Sequence, residues 1–479
     1  MSRIFRSCVI SVATLAVACG GNTGPSNSGI TAVAVSPPAA AIVVGGTWAL
    51  VASDQGGSHI TNGVTWASSA PTIVAVNGSG VITAMAEGGA TITATANGKS
   101  GSATVTAALI TLTSVVAGGA HSCGLTSDGS AWCWGRGESG QLGVSEPPAG
   151  CVIDTALYAC SPAAIAVEGG LHFTQLDAGG SHTCGLTSAG AAYCWGLNDS
   201  GQLGDNSITQ RSVPVAVSGG LSFSSITTGV AHTCGLVAGG VAYCWGLNNY
   251  GQLGSGNTNS GRVPVAVTGG LTFQSLSAGG YFAGHTCGIT TSGAAYCWGD
   301  NSAGQLGIGS LDVSAHSQPA AVSGGLVLAS VTAGLGQHTC ARTAAGVAYC
   351  WGLNSYGALG NGTQAQSAVP VAVSGGIAFA QLIAGGYIGH TCGLKSDATG
   401  YCWGENEVGA IGDGTTVDRL VPVLVAGSIG FTSLDAGYRH TCGRASAGKI
   451  YCWGSNRAGQ LGTNSVDGKT APTLVAGQR

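Results

Sequence analysis

Cysteine and histidine can bind metals, exchange disulfides or move protons, and this chain sets both in a fixed frame. In "GSHTCGLTSAGAAYCWGLNDSGQLG" (180–204), His182 stands two residues before Cys184, and Cys194 lies ten further on, followed by Trp195-Gly196. The same spacing of ten couples Cys123 with Cys133, Cys184 with Cys194, Cys234 with Cys244, Cys287 with Cys297, Cys340 with Cys350, Cys392 with Cys402 and Cys442 with Cys452. Structural zinc sites use short Cys-x₂₋₄-Cys knuckles, and here nine residues separate the sulfurs. A redox Cys-x-x-Cys is absent as well. Cys184 and Cys194 are equidistant from Ala189, so a hairpin turning there sets them opposite each other near bonding range. Cross-strand disulfides are the expectation.

The histidines are His121, His182, His232, His285, His338, His390 and His440, each two before a first cysteine. An enzyme needs one asymmetric site, whereas a histidine repeated at one strand position suits a structural hydrogen bond within each unit. The tryptophans after each second cysteine read as core. No G-x-S-x-G, HExxH or Walker loop occurs, and the acidic residues are scattered. The expectation is therefore a protein that is not an enzyme, with no cofactor, no catalytic residue and no metal.

What must position these residues is a repeat. First cysteines step by 61, 50, 53, 53, 52 and 50 residues, a period typical of propellers or solenoids. Each unit reads as four short strands of the types "AHTCGL", "AAYCWG", "VPVAV" and "LSFSSI", with Gly-rich turns between them. The array opens at "LITLTSVVAGG" (109–119) and closes with "APTLVAG" (471–477). Taken together, those ends predict a ring whose last strand completes the blade begun by the first, and so a seven-bladed β-propeller rather than a solenoid.

Composition agrees with an all-β chain. Only 7% of its 479 residues are charged and 85 are Gly, with Val, Ile, Thr and Ala filling the strands. A net charge of −4 offers no electrostatic footprint for nucleic acid. Arg419, Arg439, Arg444, Lys449, Arg457 and Lys469 are spread out and read as mostly solvated. At the start, Arg3 and Arg6 precede an apolar run, Cys8 to Ala18, too short to span a bilayer and suited to a secretory signal. "LAVAC" resembles a bacterial lipobox with Cys19 as the lipidated residue. The reading is a signal peptide at 1–18 and a flexible tether at 19–28. It makes the protein an outer-membrane or cell-surface lipoprotein, or alternatively a secreted one, in an oxidising compartment.

The motif "HTCGL…YCWGLNDSGQLG" resembles the regulator of chromosome condensation repeat family, whose members form seven-bladed propellers; the resemblance covers 109–479. Residues 29–107, with "GVTWASSAPTIVAVNGSGVITAMAEGGATITATANGKSGSATVTA", look like a bacterial group 2 immunoglobulin-like domain. The chain is thus read as all-β, a propeller behind an immunoglobulin-like β-sandwich that serves as a stalk, with Trp66 as its core aromatic.

A repeated scaffold carries function where its copies differ. The turn before each His-Thr varies most, and equivalent turns share one face of the ring. Tyr281, Phe282, Leu335, Tyr387, Ile388, Tyr438 and Arg439 are therefore expected on one exposed rim, with Tyr and Arg favoured at binding hot spots. One light-sensing family member carries Trp-Arg in this turn and dimerises through it. Tyr438-Arg439-His440-Thr441 matches that turn with Tyr for Trp, which argues against light sensing. The family's founding activity, nucleotide exchange on the Ran GTPase, fits poorly with an exported chain. A second irregularity, "VSEPPAGCVIDTALYACSPAA" (144–164), holds Cys151 and Cys160, either as an ornament closed by its own disulfide or as a contact loop.

The resulting expectation is an exported, lipid-anchored binding protein, monomeric, contacting the membrane only through its anchor. Its partner would be an extracellular or envelope protein, with a glycan as the other option. The alternatives are a protein inhibitor of an extracellular enzyme, as a secreted bacterial β-lactamase inhibitor uses a similar propeller, and third a carbohydrate or cell-wall enzyme.

Overall fold

The computed structural model describes residues 29–147, 149–153, 156–280, 283–386 and 389–479. The signal, Cys19 and the tether lie outside the described residues. The chain is all-β, and its C-terminal part is a ring of seven four-stranded blades. Blade one comprises Leu112–Ala117, His121–Thr126, Ala131–Arg136 and Ala156–Ala166. Blade two comprises Gln175–Ala178, His182–Leu186, Ala192–Gly196 and Arg211–Ala216, and blades three to six repeat this order. Blade seven ends the ring with Phe431–Ala436, His440–Ala445, Ile450–Gly454 and Lys469–Leu474.

Every blade is therefore contiguous in sequence, and the expected strand exchange at closure does not occur. "VPVAV" strands are the outer strands of their own blades, while "LSFSSI" strands open the next blade on the channel side. The last strand pairs with Ile450–Gly454 of blade seven, and Leu112–Ala117 pairs only within blade one. Closure rests on lateral contacts between blades seven and one. Ile110 bridges Gln478 in parallel, and the Ala117 amide donates to Asp435 Oδ2 at 2.8 Å.

The cysteines of each hairpin face each other in register, and all seven pairs are disulfides, as the spacing predicts. Cys123 is bonded to Cys133, Cys184 to Cys194, Cys234 to Cys244 and Cys287 to Cys297. Cys340 is bonded to Cys350, Cys392 to Cys402 and Cys442 to Cys452. Cys184 and Cys194 are direct ladder partners at a Cα–Cα distance of 4.1 Å. Buried apolar residues collect between blades rather than inside them. The Cys184–Cys194 bridge packs with Phe223 and Trp245 of blade three, and Cys442–Cys452 packs with Trp134 of blade one. The glycine after each tryptophan is forced. Gly196 has φ 109°, and a Cβ there would stand 2.5 Å from the Ser181 carbonyl oxygen.

The 144–164 insertion forms a hairpin, Ala149–Ile153 on Ala156–Ala166, closed by the Cys151–Cys160 disulfide. It lies against the strand Thr47–Ala49 of the N-terminal domain.

That N-terminal domain is a sandwich. One sheet runs Ala39–Val43, Lys99–Ala108, Gly88–Ala96, Thr65–Ser68, and a second runs Thr47–Ala49, Val81–Ala84, Val74–Val76. Its core aromatic is Trp48, 3% exposed; Trp66 is only half-buried, over Gly80, because its strand lies at the sheet edge. The stalk expectation is also corrected. Ala39–Val43 pairs with blade one's outer strand through Ile42 and Ile165, giving one nine-stranded sheet. Val43 enters a core with Ile450, Leu461 and Val475 of blade seven, and Glu87 pairs with Arg479. The domain therefore straddles the closure seam and clasps it.

Candidate interaction face

The groups best able to do chemistry are engaged in joining blades. His121 Nε2 lies 2.9 Å from Thr183 Oγ1, which itself donates to the Gln141 carbonyl at 3.0 Å. The hydroxyl's hydrogen is thus committed, so the imidazole Nε2–H must be the donor. The Trp195 indole donates to that same carbonyl at 3.0 Å. The arrangement runs round the ring from His182 to Thr233, His232 to Thr286, His285 to Thr339, His338 to Thr391, and His390 to Thr441. His440 to Ser122 closes it. These bonds run between blades, not within them as the spacing suggested. Burial holds the imidazole pKa values down, to about 4 for His121 and His338 and about 3 for the other five. The histidines are neutral cement.

The channel holds a second girdle. Val116, Asp177, Thr227, Ser277, Thr332, Ile383 and Asp435 each stand opposite a first cysteine or its equivalent. Thr227, Ser277 and Thr332 each accept a backbone N–H from the following blade. Asp177 and Asp435 do the same for Thr228 and Ala117, and each also accepts the amide of its own next residue, Ala178 or Ala436. Those amides are the ones that apolar Val116 and Ile383 in the preceding blades leave unserved. Burial raises the Asp177 pKa to about 6. It raises that of Asp435 to about 7, with the Asp177 charge adding to the effect. Sequence reasoning missed both aspartates; their signal was polarity at an inward position of a β-strand. They and their ring neighbours line a cavity of about 230 Å³. Among the described residues, no group of three or more His, Cys, Asp or Glu could hold a metal ion.

The turns before His-Thr do gather on one face. Backbone bonds join neighbouring turns, from the Tyr438 amide to the Gly118 carbonyl, Gly119 to Gly179, Gly180 to Gly229, Gly280 to Gly334, and Gly386 to Gly437. Tyr281, Phe282, Tyr387 and Ile388 lie outside the described residues. Leu335 was expected to be exposed; it is 6% exposed, because its turn tucks it into the channel mouth.

Tyr438 is half-buried. Its ring lies over Gly119, 2.8 Å from where a Cβ would stand, and its hydroxyl reaches the equivalent point of Gly180 at 2.9 Å. Arg439, half-buried, pairs with the fully buried Glu405 at 2.7 Å and with exposed Glu407. Burial would depress its pKa, and the two carboxylates more than reverse that. Tyr438 and Arg439 wall a cleft of about 460 Å³ between blades seven and one, with Arg136, Arg457, Ser455 and Gln460.

A repeat cemented at every seam around a narrow channel defines a class, the seven-bladed propeller of the regulator of chromosome condensation type. The RCC1-like domain pattern matches residues 83–386, and RCC1 repeats match 400–443 and 447–479, so the chain belongs to that family. The bacterial Ig-like domain (group 2) matches 30–107. The chain is similar to the Arabidopsis thaliana ultraviolet-B receptor UVR8, 29% identical over 316 residues, 65% of this chain and 69% of that protein. It is 28% identical over 315 residues to the human E3 ubiquitin-protein ligase HERC2, of which that match spans 5%. Among solved structures, human WBSCR16 superposes with a TM-score of 0.62 at 21% identity, over 70% of this chain and 88% of that one. Yeast RCC1 (Prp20) bound to Kap60 gives 0.59 at 20%, over 68% of this chain and 78% of that one. These two show the shared fold.

Proposed function

We propose that this protein is an exported binding protein, anchored through lipid at Cys19. It acts as a monomer and presents the face of the His-Thr turns to a protein of the cell envelope or its surroundings. The observation that carries the reading is the cleft beside Tyr438 and Arg439. Among the described residues, the rest of the face consists largely of glycine turns and buried cement, and here an aromatic ring and guanidinium groups line an open hollow. Tyr and Arg are the side chains that dominate binding hot spots. The disulfides support an oxidising compartment. Structures of a propeller with the same fold describe Kap60 bound to Prp20 and binding of Prp20p to Gsp1p and histones, which supports a protein as ligand. Affinity capture from the native envelope, with Tyr438→Ala as control, tests the reading. Capture of one envelope protein, weakened at least tenfold by the variant, is expected; undiminished capture by the variant overturns it.

A further inference from the structure

We infer that the cleft between blades seven and one receives a single carboxylate, an aspartate or glutamate side chain of the protein partner. The inference deepens the interaction-face reading and rests on it.

Its basis is a concentration of arginine that the sequence does not reveal. The whole chain has 15 Lys and Arg among 479 residues, yet three of the nine residues lining this cleft are Arg136, Arg439 and Arg457. They come from separate elements: the end of a blade-one strand, a blade-seven turn, and the loop after Trp453-Gly454. In sequence two of them belong to a scattered basic tail. In space they converge.

Their commitments differ. Arg439 is held by Glu405 and Glu407. Arg136 pairs with Glu138 while its side chain stays 44% exposed, and an ion pair that open adds little and gives way easily. Arg457 is exposed and makes no ion pair among the described residues. Arg457 is thus free to turn to an anion, Arg136 can join it by exchanging Glu138 for the incoming carboxylate while its guanidinium stays over the Tyr158 ring, and Arg439 forms a fixed wall.

Shape and surroundings select which anion. Gly119, Ala120 and Ala458 leave room for a short methylene stem, and Tyr438 offers a ring face beside it. The planar guanidinium fork matches a carboxylate bidentately. A polyanion would need an extended positive field. Here the positive charge is confined to one cleft and flanked by Glu138, Glu405 and Glu407, on a chain of net charge −4. One carboxylate can enter between those acids; a nucleic acid or sulfated glycan strand meets them and is repelled.

The test uses the full chain and dye-labelled, end-capped pentapeptides GGEGG and GGQGG, which differ by one carboxylate, with a heparin hexasaccharide, followed by fluorescence anisotropy at 50 and 200 mM salt. The Glu peptide is expected to bind at least tenfold more tightly than the Gln peptide, and more weakly at the higher salt. Arg457→Gln and Arg136→Gln should each weaken it about five- to tenfold without moving the melting temperature, because both side chains are exposed. Equal binding of the two peptides, or Glu-peptide affinity unchanged in Arg457→Gln, overturns the inference. Tighter heparin binding lost in the same variants overturns it in favour of a sulfated glycan. If Tyr438→Ala still abolishes capture of the envelope partner while both arginine variants leave it intact, the interaction face stands and the carboxylate falls.

Discussion

Ile42 of the immunoglobulin-like domain and Ile165 of blade one share a ladder position, and that pairing makes blade one the only blade, among the described residues, whose outer strand is covered. The other six outer strands are open edges, and each carries a proline just before the partner of its blade's second cysteine. These are Pro214, Pro264, Pro319, Pro370, Pro422 and Pro472. Blade one has Ala164 there. Proline lacks the N–H that a further strand would need and is a standard guard on open edges. Blade one lacks it at that position, beside the Ile165 that the other domain pairs with, and its strand carries Pro162 two residues earlier instead.

Deleting 29–107 should therefore do more than remove an appendage. Val43 leaves the core it shares with blade seven, and the proline-free edge at Ala164–Ile165 opens. The truncated chain is expected to melt below the full chain and to self-associate in light scattering, and adding Ala164→Pro should return it to a monomer. A truncation as stable and as monodisperse as the full chain would show that the domain clasps nothing.

How much of this was legible follows from the period itself. The hairpin disulfides were readable because both cysteines sit in one copy, symmetric about Ala189. Contacts between blades were not. His182 to Thr183 and His182 to Thr233 are equivalent in a periodic sequence, since shifting by one repeat leaves the pattern unchanged. The same ambiguity set the wrong strand phase: "APTLVAG" completes a ring equally well as the missing partner of the first strand or as the outer strand of its own blade. Arg136, Arg439 and Arg457 converge only because the ring closes, which no local window contains.

Acid should loosen the ring. Seven buried imidazoles have folded pKa values of about 3 to 4, against ~6.5 in an unfolded chain. The unfolded state binds their protons first, so their contribution is complete above about pH 6.5 and drains away as pH falls towards 4. Asp177 and Asp435 act oppositely. Raised to about 6 and about 7, they favour folding below their unfolded value and lose that contribution as pH rises through 6 to 7. Seven groups outweigh two, so melting temperature should fall steadily from pH 7 to pH 4. A flat profile over that window would contradict the buried, neutral ring.

The cysteine pairing can be checked directly. Peptide mapping without reductant should recover Cys151–Cys160 and the seven hairpin pairs, from Cys123–Cys133 through Cys184–Cys194, Cys234–Cys244, Cys287–Cys297, Cys340–Cys350 and Cys392–Cys402 to Cys442–Cys452. Each closes a loop of about ten residues, so reducing one should cost roughly 2–3 kcal/mol at most. Shuffled pairs, or free thiols in most hairpins of protein made in an oxidising compartment, would refute the assignment.

The two kinds of aromatic residue should separate cleanly. Trp195 is fully buried at the seam of blades one and two, and its indole shares the Gln141 carbonyl with Thr183. Trp195→Ala opens a cavity there and strips one of two donors from that carbonyl, so chemical denaturation should show a loss of about 3–5 kcal/mol. Because each blade leans on the next, the loss should lower a single cooperative transition rather than melt blade two alone. Tyr438 is half-buried on glycine turns at the surface, and Tyr438→Ala should cost nearer ~1 kcal/mol or less. Its effect should appear instead in partner capture. A tyrosine variant that unfolds as readily as the tryptophan variant would make Tyr438 another piece of cement, and the face would lose its one described aromatic anchor.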